Sequence, residues 1–349
     1  MDSKDYSIFT ESGRMALALY LKGLKKRTKR KRIIVPSLTC IGVIQSIYSS
    51  GFEPLYVDIT RDLSMDFDQM AKLLDEDIAG VIFQGLYGVL DVPAQIINDC
   101  KRNKSSIIFD CAQTFVSTKN ISGLLIDADF VFLSFQSNKP LQYGGGALGV
   151  SRLPYLDELE KPRGLFYIRM IVICFLSKLA FNNFMCKILI NPLKYNFDSD
   201  RFEGALEDIR IYSLSARIKK KLIKRFNEHE SINDKKQVFL NELRGVLRKN
   251  SKWTIPVEDK LVNSAHYLPV RVKNKSELLK KFPANLYEWP LSPLSPYLKE
   301  VKGFDPKKFP EASLAVSNLL GIRIPLNASS KKLASIKKLI ENDLMKFIL

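Results

Sequence analysis

The sequence predicts an α/β fold with a large, mostly parallel sheet flanked by helices, and three observations predict it. Short apolar, β-branched runs alternate with amphipathic helical patterns between about residues 30 and 150, as they do in successive βαβ units. The runs are apolar at nearly every position, which is typical of strands buried on both faces. A hydrophobic fraction of 46% over 349 residues allows a sizeable core.

Six strands are predicted in this part of the chain. They cover Ile33–Val35, Pro54–Asp58, Gly80–Phe83, Ser106–Phe109, Phe130–Phe135 and Ala147–Val150. Helices are predicted between several of them, at Ile41–Ser50, Asp66–Leu74 and Val92–Arg102. In open parallel sheets, ligands bind at the carboxyl ends of the strands. Asp110 and Ser134 lie at two such ends, so we expect both to face a ligand.

The most apolar segment of the chain is 164–193, which Arg169, Lys178 and Lys187 interrupt. Because of these charges, we predict that it does not span a membrane. It is a candidate either for peripheral membrane contact, with its basic residues reaching lipid headgroups, or for covering a partner subunit.

Two domains are predicted. Residues 1–245 form the large domain, with an apolar helical insertion at 160–200 and a long basic helix from about residue 206 to 247. Residues 246–349 form a smaller C-terminal αβ domain.

The formal net charge of +17 suits three kinds of anionic partner: nucleic acid, an anionic membrane surface, or an anionic substrate such as a nucleotide sugar. Nucleic acid is not favoured, because the basic residues are spread along the chain. The one dense block, Lys25–Arg32, is equally compatible with a solvated loop. Two histidines and five scattered cysteines disfavour a metal site. The cysteines and the lack of a signal-peptide pattern favour a cytoplasmic location, with a peripheral position at the inner face of the membrane as an alternative.

Four side chains together suggest a pyridoxal 5'-phosphate (PLP) site. Asp110 and Gln113 lie in FDCAQTF, and Ser134 and Lys139 lie in LSFQSNKPLQYGGG. A PLP enzyme needs a lysine that holds the aldehyde as an imine, a carboxylate that keeps the pyridine nitrogen protonated, and donors for the phosphate. Lys139 and Asp110 suit the first two roles. Gln113 suits the phenolate oxygen, Ser134 the phosphate, and the run Gly144–Gly146 a close approach of the backbone to the cofactor.

The order and spacing of these residues resemble the DegT/DnrJ/StrS family of sugar aminotransferases, a branch of the fold-type-I PLP enzymes. Further matches extend along almost the whole chain. They are SGRMAL (Ser12–Leu17), VPSLTC (Val35–Cys40), GFEPLYVDI (Gly51–Ile59), GLYGVLD (Gly85–Asp91), SAHYLPVRV (Ser264–Val272) and RIPL (Arg323–Leu326).

The resemblance implies the PLP-dependent transferase fold type I, with a large sheet of the seven-stranded type. It implies a homodimeric aminotransferase that acts on a nucleotide-linked keto-sugar, with glutamate as amino donor, in surface polysaccharide or amino-sugar biosynthesis. It makes Lys139 and Asp110 catalytic. The cofactor-binding residues that it implies are Ser12, Gly13, Arg14, Asp110, Gln113, Ser134 and Lys139.

Four residues depart from the family pattern. Arg14 replaces a threonine and suits a phosphate or a substrate carboxylate. Cys40 stands where an aromatic ring usually stacks on the cofactor, Gly85 replaces a histidine, and Asp208 stands where a neighbouring subunit usually presents an asparagine. Two alternatives stay open: a membrane-associated PLP-binding member without transaminase activity, and a PLP-dependent sugar-modifying enzyme of another reaction type. A dehydratase, in which histidine replaces the lysine, is disfavoured by Lys139.

Overall fold

The computed structural model describes residues 5–114, 116, 118–136, 139–140, 143–155, 159–179, 209–248, 267–283, 285–287, 305–324 and 330–347. Over these residues the chain forms a large sheet, a small sheet and the helices that pack on them.

The large sheet contains seven strands among the described residues. They are β1 Tyr6–Thr10, β2 Arg32–Pro36, β3 Glu53–Val57, β4 Ile78–Gln84, β5 Ser106–Asp110, β6 Phe130–Ser134 and β7 Ala147–Ser151, in the order β1-β7-β6-β5-β4-β2-β3. Four neighbouring pairs are parallel: β6 with β5, β5 with β4, β4 with β2, and β2 with β3. β7 is antiparallel to β6, and β1 is antiparallel to β7. The predicted fold class is confirmed, and β1 is a strand that the sequence pattern did not predict.

Helices connect these strands and continue beyond them. In chain order they are α1 Gly13–Lys25, α2 Ile41–Ser49, α3 Phe67–Leu73, α4 Ala94–Arg102, α5 Thr118–Leu124, α6 Phe166–Leu179, α7 Ala216–Arg248, α8 Lys275–Lys281, α9 Pro310–Asn318 and α10 Ser330–Asn342. The three helices predicted between strands are α2, α3 and α4, and their predicted ends agree to within two residues.

The large sheet is buried on both faces, because successive residues of a strand point to opposite sides. In β5, Ile107 and Phe109 belong to a core that they share with α4, α6 and α7. Ile108, which lies between them, belongs to a second core with α1, α2 and α9. Burial on both sides explains why these strands are continuous apolar runs in the sequence.

The long basic helix begins later than the sequence predicts. Residues 211–214 run along the edge strand β1: the Glu11 N–H donates to the Tyr212 carbonyl at 3.3 Å, and the Leu214 N–H donates to the Phe9 carbonyl at 3.2 Å. The prediction is wrong for these residues because it followed local composition. The backbone groups of an edge strand also need partners, and this segment supplies them.

The small sheet has the order β8-β10-β9, with antiparallel pairing. Its strands are β8 Tyr267–Arg271, β9 Leu286–Tyr287 and β10 Leu319–Arg323. Its core includes residues of α7 and Val89 from the loop after β4. α7 runs through the predicted domain boundary at residue 245, and the division into 1–245 and 246–349 stays a prediction.

α6 is the described part of the apolar segment 164–193, of which residues 180–193 lie outside the described chain. Among the helices that the structure describes, none is both long enough and apolar enough to cross a bilayer.

A buried carboxylate, Asp58, connects the large sheet to α9. Asp58 follows β3 and is 7% exposed. It accepts hydrogen bonds from the backbone N–H groups of Glu311 and Ala312, both at 3.0 Å, in the first turn of α9. The N-cap residue of α9, Phe309, makes no side-chain cap bond. Asp58 therefore caps this helix across 253 positions, and its charge interacts favourably with the helix dipole.

Replacing this distant cap should destabilise the protein more than replacing a local one. We expect Asp58→Ala to lower the free energy of unfolding by about 2–4 kcal/mol, because one buried and one partly buried N–H group lose a charged acceptor. Asp66→Ala, which removes the cap bond to the Gln69 N–H within α3, should cost about 1 kcal/mol. Urea denaturation of both variants measures the difference, and equal losses would contradict a connecting role for Asp58.

Candidate active site

The carboxyl ends of β4, β5 and β6 lie side by side and carry most of the predicted site residues. Asp110 is the last residue of β5, and Ser134 is the last residue of the adjacent strand β6. Gly85 follows β4, and its N–H donates to the Asp110 carbonyl at 2.8 Å. The parallel pairing thus brings these residues to the edge of the sheet where ligands bind in such folds.

The carboxyl group of Asp110 is buried, with 3% of the residue exposed. Its Oδ1 accepts a hydrogen bond from the Ala112 N–H at 2.9 Å. Burial raises the pKa of Asp110 to about 6, while the bond from Ala112 and the positive charge of Lys139 oppose this rise. Asp110 and Lys139 therefore interact electrostatically, and a buried carboxylate of this kind suits a site that receives further positive charge.

Lys139 is also buried, with 8% of the residue exposed. Lysine is almost never buried to this degree unless it is paired or functional. The glycine run that follows adopts backbone conformations that favour glycine: φ is +83° at Gly144 and +94° at Gly146. The Gly146 N–H donates to the Glu11 carbonyl at 2.9 Å, so this run lies beside the start of α1.

The start of α1 lies against the end of β6. The Ser12 hydroxyl accepts a hydrogen bond from the Met15 N–H and caps the helix. A Cβ added to Gly13 would lie 3.5 Å from Ser134 Cβ and 3.4 Å from the Phe132 ring. The first turn of this 13-residue helix therefore presents backbone N–H groups next to two hydroxyl groups. Such helix starts bind phosphate and other anions.

Arg14 and Cys40, two of the departures from the family pattern, meet at the first turn of α2. A Cβ added to Gly42 would lie 3.6 Å from Arg14 Cβ and 3.7 Å from Cys40 Sγ. The Arg14 guanidinium donates to the side-chain oxygen of Gln45 at 2.6 Å. Gln45 is buried, and the sequence analysis missed it. The two residues are 31 positions apart, so no local pattern marks their contact.

The side chain of Gln113 has a defined orientation. Its Oε1 accepts a hydrogen bond from the Tyr87 N–H at 3.3 Å. The other end of the amide is an NH2 group, which only donates. Since the oxygen is bound to the loop after β4, the NH2 group is the end that remains for a ligand oxygen, as the predicted role requires.

Thr114 explains the glycine at position 85. A Cβ at Gly85 would overlap the Thr114 hydroxyl and lie 3.1 Å from Thr114 Cβ. The same hydroxyl donates to the Gly85 carbonyl at 2.8 Å. Thr114 therefore fills the space in which a side chain at position 85 would begin. The sequence analysis missed this residue, although the unusual glycine was a signal that a neighbour had taken its space.

Two arginines of the basic block Lys25–Arg32 are bound within the protein, whereas Lys26, Arg27, Lys29 and Lys31 are exposed. Arg32 pairs with Asp75 at 2.5 Å and with Asp77 at 3.1 Å. The Arg30 guanidinium donates to the Ile78 carbonyl at 2.7 Å. Part of the block is therefore bound within the fold, and the absence of a nucleic-acid partner stays a prediction.

A small, shallow cleft opens at the carboxyl ends of β2 and β4, beside the candidate site. Its wall includes Gln84, whose register partner in β5 is Asp110. Neither Asp110 nor Lys139 lines it. The departure Asp208 and the motif residues 264–266 lie outside the described part of the chain.

A family model matches residues 2–338 and carries the description DegT/DnrJ/EryC1/StrS aminotransferase family. The chain belongs to this family. The match covers nearly the whole chain, so the resemblance predicted from the motifs is confirmed. The family is one of PLP-dependent aminotransferases, and the predicted enzyme class and cofactor, PLP, are confirmed at this level.

Individual relatives are distant. GDP-perosamine synthase from Escherichia coli O157:H7 is 26% identical over 147 residues, which are 42% of this chain and 40% of that protein. The chain thus matches about two fifths of the length of this relative.

Solved structures match over a larger share of the chain. DesV from S. venezuelae, in complex with a ketimine intermediate, is 18% identical to this chain. The superposition covers 96% of this chain and 83% of the DesV chain, with a TM-score of 0.67. PseC from Helicobacter pylori, an aminotransferase involved in the biosynthesis of pseudoaminic acid, is 15% identical. The superposition covers 98% of this chain and 87% of the PseC chain, with a TM-score of 0.68. These likenesses confirm the predicted fold.

The contact between Gly85 and Thr114 predicts strong coupling between the two positions. Gly85→Ala should lower the free energy of unfolding by about 2 kcal/mol through overlap, and Thr114→Ala by about 1 kcal/mol through the lost hydrogen bond. The double variant should cost at least ~1 kcal/mol less than the sum, because removing the hydroxyl relieves most of the overlap. Gly123→Ala in α5, which has nothing within 4 Å of the added Cβ, is the control and should cause no loss, or a gain of up to ~1 kcal/mol because alanine favours a helix. Additive losses in urea denaturation would contradict the contact.

Proposed function

We propose that this protein is a PLP-dependent aminotransferase that transfers an amino group to a nucleotide-linked keto-sugar, with glutamate as the donor. The observation that carries the proposal is a buried carboxyl group at the end of β5 whose pKa is raised by burial and lowered by the positive charge of a buried lysine in the loop after β6. Asp110 and Lys139 are the two residues. The family assignment supplies the reaction class.

The residues at this edge fit the cofactor by their chemistry. Bound PLP would supply an electron sink that stabilises negative charge beside the reacting carbon. Asp110 is suited to hold a proton on the ring nitrogen, since a protonated ring nitrogen would compensate its buried charge. Gln113 is oriented to donate to the ring oxygen. Ser12, Gly13, Arg14 and Ser134 border the start of α1, which suits the phosphate.

In this proposal Lys139 has two functions. Its amino group binds the cofactor aldehyde when no substrate is present, and it moves a proton at the reacting carbon once it is released. Its burial supports both, because exclusion of water strengthens its interaction with nearby charges.

The substrate class rests on the family and on charge. The names of the relatives refer to GDP-perosamine and pseudoaminic acid, which supports a sugar acceptor in surface polysaccharide or amino-sugar biosynthesis. The net charge of +17 favours a substrate that carries phosphate groups. A nucleotide-linked substrate also agrees with the predicted cytoplasmic location. The predicted homodimer belongs to the same proposal, and light scattering of the purified protein tests it.

The assignment of Lys139 is tested by covalent trapping. Borohydride treatment of the PLP-loaded protein should fix one cofactor on Lys139, and Lys139→Ala should carry none, as peptide mass spectrometry would measure. Lys275→Ala is the matched control, because Lys275 is a buried lysine that donates to the Val316 carbonyl outside the candidate site. An adduct retained in Lys139→Ala would overturn the assignment, provided that both variants melt cooperatively.

The role of Asp110 predicts a pH effect on the cofactor-free protein. Burial raises the pKa of Asp110 from 3.8 to about 6 in the folded state, so the folded protein binds this proton more tightly than the unfolded chain. The contribution of protonated Asp110 to stability is therefore largest below about pH 4 and is lost as the pH rises through 6. We expect the unfolding free energy of wild type relative to Asp110→Asn to fall by about 2–2.5 kcal/mol between pH 4 and 7. The variant should also retain less PLP.

The reaction itself is tested by mixing the PLP-loaded protein with glutamate and a panel of nucleotide-linked keto-sugars. We expect 2-oxoglutarate and an aminated nucleotide sugar, both detected by mass spectrometry. PLP that stays on Lys139 unchanged with every amino donor would instead support the member without transaminase activity.

A further inference from the structure

One face of α6 is apolar and exposed to solvent. Leu165, Ile168, Ile171, Val172 and Phe175 are exposed by 76%, 57%, 52%, 49% and 62%. Leu165 belongs to the first helical turn, since its carbonyl accepts the Arg169 N–H at 3.0 Å. At about 100° per residue, the five side chains fall within about 120° of the helix circumference. We call these five residues the apolar stripe.

The opposite face of α6 fixes the direction of the stripe. Phe166 and Met170 are buried in the core of the large sheet. A Cβ added to Gly145 would lie 3.0 Å from Phe166 Cζ and 3.2 Å from Met170 Cγ, so the helix packs directly on the glycine run. Five of the eleven exposed large apolar side chains among the described residues lie in this stripe. Such concentration marks an interaction surface, whereas scattered single residues do not.

Basic residues border the stripe. The Lys221 ammonium donates to the Tyr167 hydroxyl of α6 at 2.6 Å, and the Arg217 guanidinium lies 5.5 Å from the same ring. Both belong to an exposed face of α7 that also contains Lys220 and Lys224 and spans about 100°. We call these four residues the cationic face. On the other side of the stripe lies the exposed Arg169.

The charge pattern distinguishes between two occupants. From Ala216 to Glu228, α7 contains six basic residues and one acid, Glu228, which pairs with Lys224 at 3.9 Å. A second copy docked about a twofold axis that passes through this face would bring like charges towards each other. An anionic lipid surface complements the cationic face and also accepts the apolar stripe below its headgroups.

We propose that α6 and the start of α7 bind the surface of anionic phospholipid bilayers, with α6 lying in the plane of the interface. The apolar stripe enters the boundary between headgroups and acyl chains. The cationic face contacts the headgroup phosphates. This proposal does not depend on the reaction that the protein catalyses.

Vesicle flotation of the full-length protein tests the proposal. Wild type should float with vesicles that contain phosphatidylglycerol and stay behind with pure phosphatidylcholine, and added salt should reduce the bound fraction. Replacing Ile168 and Phe175 by serine should weaken partitioning at least ~10-fold. Serine at Val238 and Leu314, which are 61% and 47% exposed elsewhere, is the matched control and should leave partitioning unchanged.

A second pair of variants tests the charge. Glutamine at the four positions of the cationic face should weaken partitioning on the order of 100-fold. Glutamine at Lys72, Lys273, Lys280 and Lys308, which are exposed at other sites, changes the net charge equally and should have a much smaller effect. Circular dichroism verifies that each variant is folded.

Two outcomes would overturn the proposal. One is equal flotation of the stripe variant and wild type. The other is wild type that ignores anionic vesicles and forms a dimer that the stripe variant loses in light scattering, which would make the stripe an interface between copies of this chain.

Discussion

The buried carboxyl group of Asp110 is the constraint on which the candidate site depends. Asp110 ends β5, which lies between β4 and β6, and only 3% of the residue is exposed. Burial raises its pKa to about 6, and the neighbouring positive charge of Lys139 opposes that rise. The site is therefore pre-organised around a charge that needs compensation, which is a property of binding sites rather than of inert cores.

The parts of the molecule that could be predicted from the sequence are those that leave a local pattern of residue types. Strands buried on both faces become continuous apolar runs, so β2 to β7 could be read directly, and Asp110 and Ser134 could be placed at strand ends. The long-range contacts left no such pattern. Asp58 caps a helix 253 positions away, and residues 211–214 pair with an edge strand near the start of the chain. Local composition favours a helix at residues 211–214, but these residues form backbone hydrogen bonds with the edge strand β1 instead.

The proposed lipid surface and the candidate site share a structural connection. α6 packs on Gly145, and the next residue, Gly146, bonds to the Glu11 carbonyl beside the start of α1. The Glu11 carboxylate is buried and accepts a hydrogen bond from the Arg163 guanidinium at 2.6 Å, just before α6. A lipid surface bound to α6 is thus separated from the loop that contains Lys139 only by the thickness of this helix.

Thr114 and a side chain at position 85 exclude each other, so the two positions can change only in one order without a loss of packing. The Thr114 hydroxyl occupies the space that the first carbon of such a side chain needs. Engineering histidine at position 85 therefore requires a smaller residue at 114 first. The opposite order passes through a poorly packed intermediate.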